Sequence, residues 1–305
     1  MTQPARVETH DNLFPIREVS RATGVNSVTL RAWERRYGLI QPTRTDSGHR
    51  LYSAADIETV RNVLAWIERG VAVSKVGKLL ARSQAVRPSP AAVGESDAWG
   101  EYRARLRSAL VAFDATALEQ HFQQACSRHA VTQVVQDICM PLWQELLLRR
   151  DEPGQAGEWL LLDAFLRGQA LRLLRVGEQP TQVVLTALAG HCHELELLVA
   201  GVLLGADNVG VQVFGPGLPL AELALVGGKI QPQAMVLFSN RPPSEEWLAQ
   251  LKRFALSLDC PLALAGDVCD LIEEELAGSA IARLGNAGAL LHSRLQQFIA
   301  GHLDT

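Results

Sequence analysis

Nowhere does the chain run to about 18 apolar residues in succession, so no membrane-spanning helix is expected. Its amino terminus, Met1 to Leu13, is polar and carries Glu8 and Asp11, which argues against a secretory signal. Paired cysteine spacing is lacking too. Cys126, Cys139, Cys192, Cys260 and Cys269 are odd in number and dispersed, a pattern that fits a reducing cytoplasm. There is no Gly-rich phosphate loop, nucleophile elbow or paired-carboxylate site, so the expectation is a protein that is not an enzyme. What is present is ordinary globular composition: 305 residues, 48% hydrophobic and 20% charged, enough for two or three domains.

Charge is unevenly distributed. Residues 1–82 hold 13 Lys and Arg against 8 Asp and Glu, whereas the remainder holds 16 against 25. A basic front on an acidic body suggests that only the front approaches a polyanion. Residues 13–82 read as short helices separated by turns, and 83–98 as a Pro/Ser/Ala/Gly-rich linker. Over 99–177 apolar residues recur at helical spacing, as in Trp99, Tyr102, Leu106, Ala109, Leu110 and Phe113. With further helices at 115–128, 131–149 and 156–175, this region predicts a four-helix bundle. From 178 to 305, five short apolar runs alternate with helical stretches: Val183–Leu188, Val211–Phe214, Met235–Phe238, Leu262–Ala265 and Ile281–Leu284. That rhythm predicts a doubly wound, flavodoxin-like parallel sheet.

The amino-terminal segment carries the clearest chemistry. Ile16–Ala22 predicts a helix, Gly24 a turn, and Asn26 or Ser27 a cap for a second helix over Val28–Arg36. In that helix Val28 and Ala32 can face the core, leaving Thr29, Arg31, Arg35 and Arg36 outward. The planar fork of arginine suits phosphate oxygens and the acceptor edge of guanine. Beyond Tyr37, the turn Asp46-Ser47-Gly48 lets Thr43–Tyr52 form a two-stranded wing, with Arg44, His49, Arg50 and Tyr52 as phosphate donors. Ser53 and Asp56 then cap a third helix, which Gly70 ends, and Ser74 opens another. The candidate DNA contacts are therefore Thr29, Arg31, Arg35, Arg36, Tyr37, Arg44, His49, Arg50 and Tyr52. A merely solvated charged face would not explain turn glycine, second helix, wing and capped third helix in that order.

Three stretches, Val28-Thr-Leu-Arg-Ala-Trp-Glu-Arg-Arg-Tyr-Gly-Leu39, Pro42-Thr-Arg-Thr-Asp-Ser-Gly-His-Arg-Leu-Tyr52 and Val73-Ser-Lys-Val-Gly-Lys-Leu-Leu80, resemble the MerR family across residues 14–81. The likeness is nearest to MlrA-like regulators and the light-responsive, cobalamin-binding CarH/LitR group. It implies a winged helix-turn-helix that binds double-stranded promoter DNA at a palindrome as a dimer or higher oligomer. RNA polymerase or a regulatory protein would be further partners, and no membrane is expected.

The bundle and sheet resemble the cobalamin-binding arrangement of the CarH/LitR group more weakly. That group has Glu-x-His-x-x-Gly after its first strand, the histidine ligating cobalt from below. Here the stretch is His191-Cys-His193-Glu-Leu-Glu196, so His193 stands in the ligand's place, His191 in the acid's and Glu196 in the glycine's. The acid normally orients the histidine, and the glycine admits a bulky ligand. Trp143 matches the group's tryptophan on the upper ligand side, but the following Glu-His is missing at its spacing. Glu158-Trp159 is the nearest counterpart. Phe238-Ser239 and Ala265-Gly266 keep small residues where two strands end. The resulting expectation is a degenerate sensor or partner-binding region with no cofactor. An adenosylcobalamin-dependent repressor using His193 and Trp143 is the alternative, and a constitutive architectural DNA binder a further rival.

Overall fold

The computed structural model describes residues 13–44, 50–73, 75–77, 93–174, 179–205, 208–286 and 288–302. They fall into two compact units, Met1–Ala85 and Val86–Thr305.

In the first unit, β1 (Leu13–Pro15) leads into α1 (Ile16–Thr23), which ends at Gly24. Gly24 takes φ 72°, a left-handed conformation that costs a side chain but not glycine, and its amide donates to the Ser20 carbonyl. Then α2 (Ser27–Tyr37) starts at Asn26, whose side chain accepts from the Val28 amide at 2.9 Å. Its buried face is Leu30 and Trp33, not Val28 and Ala32 as their spacing had suggested. Val28 is 67% exposed and Ala32 half-buried. Turning Leu and Trp inward removes more apolar surface from water than turning Val and Ala inward, so the larger pair sets the rotation.

The wing strands β2 (Thr43–Arg44) and β3 (Arg50–Ser53) pair antiparallel, and β1 adds to the far side of β3. The ladder therefore has three strands in the order β1-β3-β2, one more than the wing alone supplies. The turn Asp46-Ser47-Gly48, His49 and Ser74 lie outside the described residues. Helix α3 (Ala54–Glu68) opens with a reciprocal cap: the Asp56 amide donates to the Ser53 hydroxyl, and the Ser53 amide to the Asp56 carboxylate.

The second unit begins with α4 (Val93–Val111), which starts within the stretch that composition marked as linker. After α5 (Ala115–Cys126), a third helical arm runs through α6 (Val131–Gln133), a π-type turn at Val134–Cys139, and α7 (Met140–Leu148). Helix α8 (Gln155–Leu173) completes the bundle. Tyr102, Leu106, Ala109 and Leu110 are buried as their period predicts. Phe113 is not: the chain turns there with φ 51°, leaving the ring 58% exposed.

Next come β4 (Thr181–Thr186), α9 (Glu194–Leu204), β5 (Val209–Val213), α10 (Leu220–Ile230), β6 (Ala234–Phe238), α11 (Glu245–Ser257) and β7 (Leu262–Ala265). Short helices α12 (Val268–Leu271) and α13 (Glu273–Leu276), strand β8 (Ile281–Gly285) and α14 (Gly288–Ile299) follow. All five strands are parallel in the order β5-β4-β6-β7-β8, the doubly wound pattern whose crevice opens where the winding reverses, beside β4 and β6. Every residue of α9 from Leu195 to Leu204 is buried, because α8 packs on one side and β5 and α14 pack elsewhere. Bundle and sheet, distinct in sequence rhythm, thus share one core that joins Trp143, Leu146 and Leu162 to Val183, Leu185 and Leu197.

Candidate nucleic-acid interface and sheet-edge crevice

With Leu30 and Trp33 anchoring α2, its opposite face leaves the protein. Arg31, Arg35, Arg36 and Tyr37 are all exposed, beside exposed Val28, and Thr29 is half-buried. This is the composition of a helix that fits a major groove: guanidinium forks for base edges and phosphates, and an apolar group for a thymine methyl. Val28 was assigned to the core from sequence and belongs instead to this outward surface.

The wing corrects the expectation further. Glu34, on α2, receives Arg50 Nε at 2.6 Å and Arg44 Nη2 at 3.5 Å, tying the helix to both wing strands. The Arg50 hydrogen bond, with both arginine charges nearby, holds the Glu34 carboxyl below the usual carboxylate range. Arg50 is consequently a strut between helix and wing, while Arg44 keeps 58% of its side chain exposed. Tyr52, expected among the phosphate donors, is fully buried. It alternates with Leu51 along β3 and so points to the core face of the ladder; burial also raises its phenol's pKa. Sequence reading missed Glu34, whose signal was an acid amid outward arginines.

At the carboxyl edge of the parallel sheet the polar groups turn toward one another. Glu196, 6% exposed, accepts from the His193 amide and from Asn240 Nδ2, each at 2.8 Å. Asn240 Oδ1 accepts from the Asp267 amide at 3.1 Å, and the Asp267 carboxylate accepts from Asn286 at 2.9 Å. Gly266 permits this closure: at φ 93°, a Cβ there would lie 2.5 Å from the Ser239 carbonyl oxygen. His191, where an acid would orient its neighbour, instead meets the Ser239 hydroxyl at 2.9 Å and lies 5.4 Å from the Trp247 ring. Burial, then the Arg241 charge, lowers its pKa.

His193 caps α9 beneath two tryptophans. Its ring centroid is 5.3 Å from that of Trp143, nearly perpendicular, and 6.4 Å from that of Trp159. Trp143 is fully buried and its indole donates to Asp163 at 3.0 Å, which pairs with Arg167, which pairs in turn with Glu194. A flat macrocycle ligated by the imidazole and covered by the indole needs a metal–nitrogen bond of about 2 Å on one side and a van der Waals gap of about 3.5 Å on the other. The rings are in contact, and Glu196 fills the position where a glycine would admit the ligand. The residues as arranged do not fit a corrinoid.

Three polar atoms in this region, Trp159 Nε1, Thr186 Oγ1 and Trp247 Nε1, are buried without a hydrogen-bond partner. Each costs on the order of 1–3 kcal/mol, so the edge is not built for stability alone. Cys192 adds no ready metal ligand, because burial pushes its thiol up to about 12. No metal-ligating cluster of His, Cys, Asp and Glu occurs among the described residues, and none of the described helices is long and apolar enough to cross a membrane.

Comparison with known proteins adds the following. Residues 14–83 match the family model described as MerR HTH family regulatory protein. The HTH-type transcriptional regulator MlrA of Salmonella typhimurium is 51% identical over 77 residues, 25% of this chain; the chain spans about a third (32%) of that relative's length. The HTH-type transcriptional repressor CarA of Myxococcus xanthus is 29% identical over 248 residues, 81% of this chain and 83% of CarA. Among solved structures, the Methanosarcina barkeri monomethylamine corrinoid protein is similar with a TM-score of 0.45 and 14% identity, over 65% of this chain and 98% of that one. The chain is thus related to transcriptional regulators, and its residues 14–83 form a MerR-family helix-turn-helix domain.

Proposed function

We propose that the protein is a transcriptional regulator that binds promoter DNA as an oligomer and whose second unit senses a signal or partner without cobalamin. The observation that carries the DNA reading is the rotation of α2. Leu30 and Trp33 lock one face inward, so Arg31 and Arg35 take the opposite face with Thr29 and Arg36 flanking it, while Tyr37 is exposed at the helix end and Arg44 on the wing. His49 belongs to the same proposed surface by sequence alone. One such module covers little DNA, and paired half-sites let a symmetric dimer read a palindrome. The MerR-type domain and the likeness to the repressor CarA support the same reading. RNA polymerase or a regulatory protein is the further partner class proposed for the second unit.

The test uses a duplex selected from a random-sequence pool by the full chain. Sequence-specific footprints that weaken steeply with salt, through counterion release, support the reading. An unchanged footprint for each of Arg31→Ala, Arg35→Ala, Arg36→Ala and Arg44→Ala sinks it.

A second reading, an adenosylcobalamin-dependent repressor, has one observation in its favour: Trp143 and His193, the two residues that the CarH-like resemblance assigns to the ligand, are neighbours at the sheet edge. Equilibrium dialysis with adenosylcobalamin in the dark separates the two. No uptake is expected; tight, stoichiometric uptake abolished by His193→Ala would establish the second reading.

A further inference from the structure

Helix α8 is apolar on two faces, and the chain covers only one. Leu162, Leu166 and Ala170 point into the core. On the opposite side Leu160 and Leu171 are 56% and 60% exposed, and Ala164 and Gly168 are exposed between them. At 100° per residue, Gly157, Leu160, Ala164, Gly168 and Leu171 fall within about 40° of one line along the helix. Leu160 and Leu171 thus lie on an apolar line that no other element of this unit covers.

The order of sizes along that line says what the partner is. Turned end to end about Ala164, the pattern maps onto itself with large opposite small. Leu160 meets Gly168 of a second copy, Leu171 meets Gly157, and Ala164 meets Ala164. Such matching of one patch to itself is what a two-fold interface demands. Phe113 extends the receptor end. Its ring lies about 3 Å from where a Gly157 Cβ would be and so rests on Gly157, forming an apolar wall against which Leu171 of a second copy would pack. The backbone there is strained, with φ 51° for an aromatic residue, and an uncovered bulky residue held in that conformation is a mark of a functional position. No charge interrupts the central line.

We propose that α8 is a homodimer interface, packing antiparallel on α8 of a second copy about a two-fold axis at Ala164. The proposal rests on the oligomeric reading above and names the surface that reading lacks.

Sedimentation of the full chain tests it. Ala164→Glu sets two like charges against each other at the axis and is expected to weaken dimerisation at least about tenfold. Because the site is exposed, thermal unfolding monitored by circular dichroism should not change. Under oxidising conditions Ala164→Cys should crosslink to itself at position 164, identified by peptide mapping. Leu160→Cys should crosslink to Gly168→Cys in mixed samples. If Ala164→Glu still dimerises like the parent and these crosslinks fail, the interface lies elsewhere and this proposal falls while the oligomeric reading stands. A parent chain that is monomeric both free and on its selected duplex overturns both.

Discussion

On α2 three arginines point away from the fold, whereas at the carboxyl edge of the parallel sheet the polar side chains point at one another. Arg31, Arg35 and Arg36 are exposed, while Glu196, Asn240 and Asp267 are buried and joined in one network. The first surface is incomplete without a polyanion, and the second satisfies most of its own polar demand.

The comparison breaks most severely if the scaffolds beneath the two surfaces are removed. Trp33→Ala should cost about 3–5 kcal/mol in the first unit, since it empties a buried site under α2. DNA binding should disappear with it. Trp143→Ala should cost a similar amount in the second unit, and also removes the indole hydrogen bond to Asp163. Denaturant unfolding followed by tryptophan fluorescence measures both. A loss below about 1 kcal/mol in either case would show that the packing described is not what holds that surface.

Next in size is the recognition surface itself. Arg35→Ala or Arg36→Ala should weaken the selected duplex by about 1–3 kcal/mol where a base edge is read, without changing unfolding. Arg50→Ala should behave differently, because Arg50 bonds to Glu34 and ties the wing to α2. Its effect should appear in unfolding of the first unit as well as in affinity. Equal effects for Arg35→Ala and Arg50→Ala on affinity alone would erase the distinction between contact and strut.

A smaller change sharpens the crevice side. Glu196→Ala removes the acceptor shared by the His193 amide and Asn240, and should destabilise the second unit by roughly 1–3 kcal/mol. DNA affinity per folded molecule should stay near the parent value. Restoring the missing glycine with Glu196→Gly and finding adenosylcobalamin uptake would show that this one side chain closes the crevice.

Much of the architecture was legible because it rests on local signals. Gly24, the Ser53 and Asp56 cap and the alternation of short apolar runs with helices each fix a boundary by backbone chemistry alone. The rotation of α2 was not legible, since Val28 and Ala32 fit helical spacing as well as Leu30 and Trp33 do. Only packing against the rest of the unit selects the larger pair. Tyr52 shows the same limit: period-2 alternation puts it on one face of β3, but the sequence does not say which face is covered. In the second unit the substitutions at 191 and 196 were visible. Their consequence was not, because Asn240 and Ser239, which take up the new side chains, lie more than forty residues away.

The mildest effect expected is a pH dependence confined to the second unit. His191 is half-buried against Trp247 and bonded to Ser239, and its pKa is lowered by burial first and by the Arg241 charge second. An unfolded histidine titrates near 6.5. Above that value both states are neutral at this site, so His191 contributes no slope. As pH falls below about 6.5 the unfolded chain takes up the proton first, and linkage then favours unfolding until the folded value is passed. Stability of the second unit should therefore decline on acidification through this window, and His191→Gln should remove that part of the decline. Urea unfolding of parent and variant at pH 7.5, 6.5 and 5.5 measures it. A stability difference between the two that stays constant across the series would mean that His191 takes up its proton as readily in the fold as in the unfolded chain, and that burial at the crevice does not disfavour its charged form.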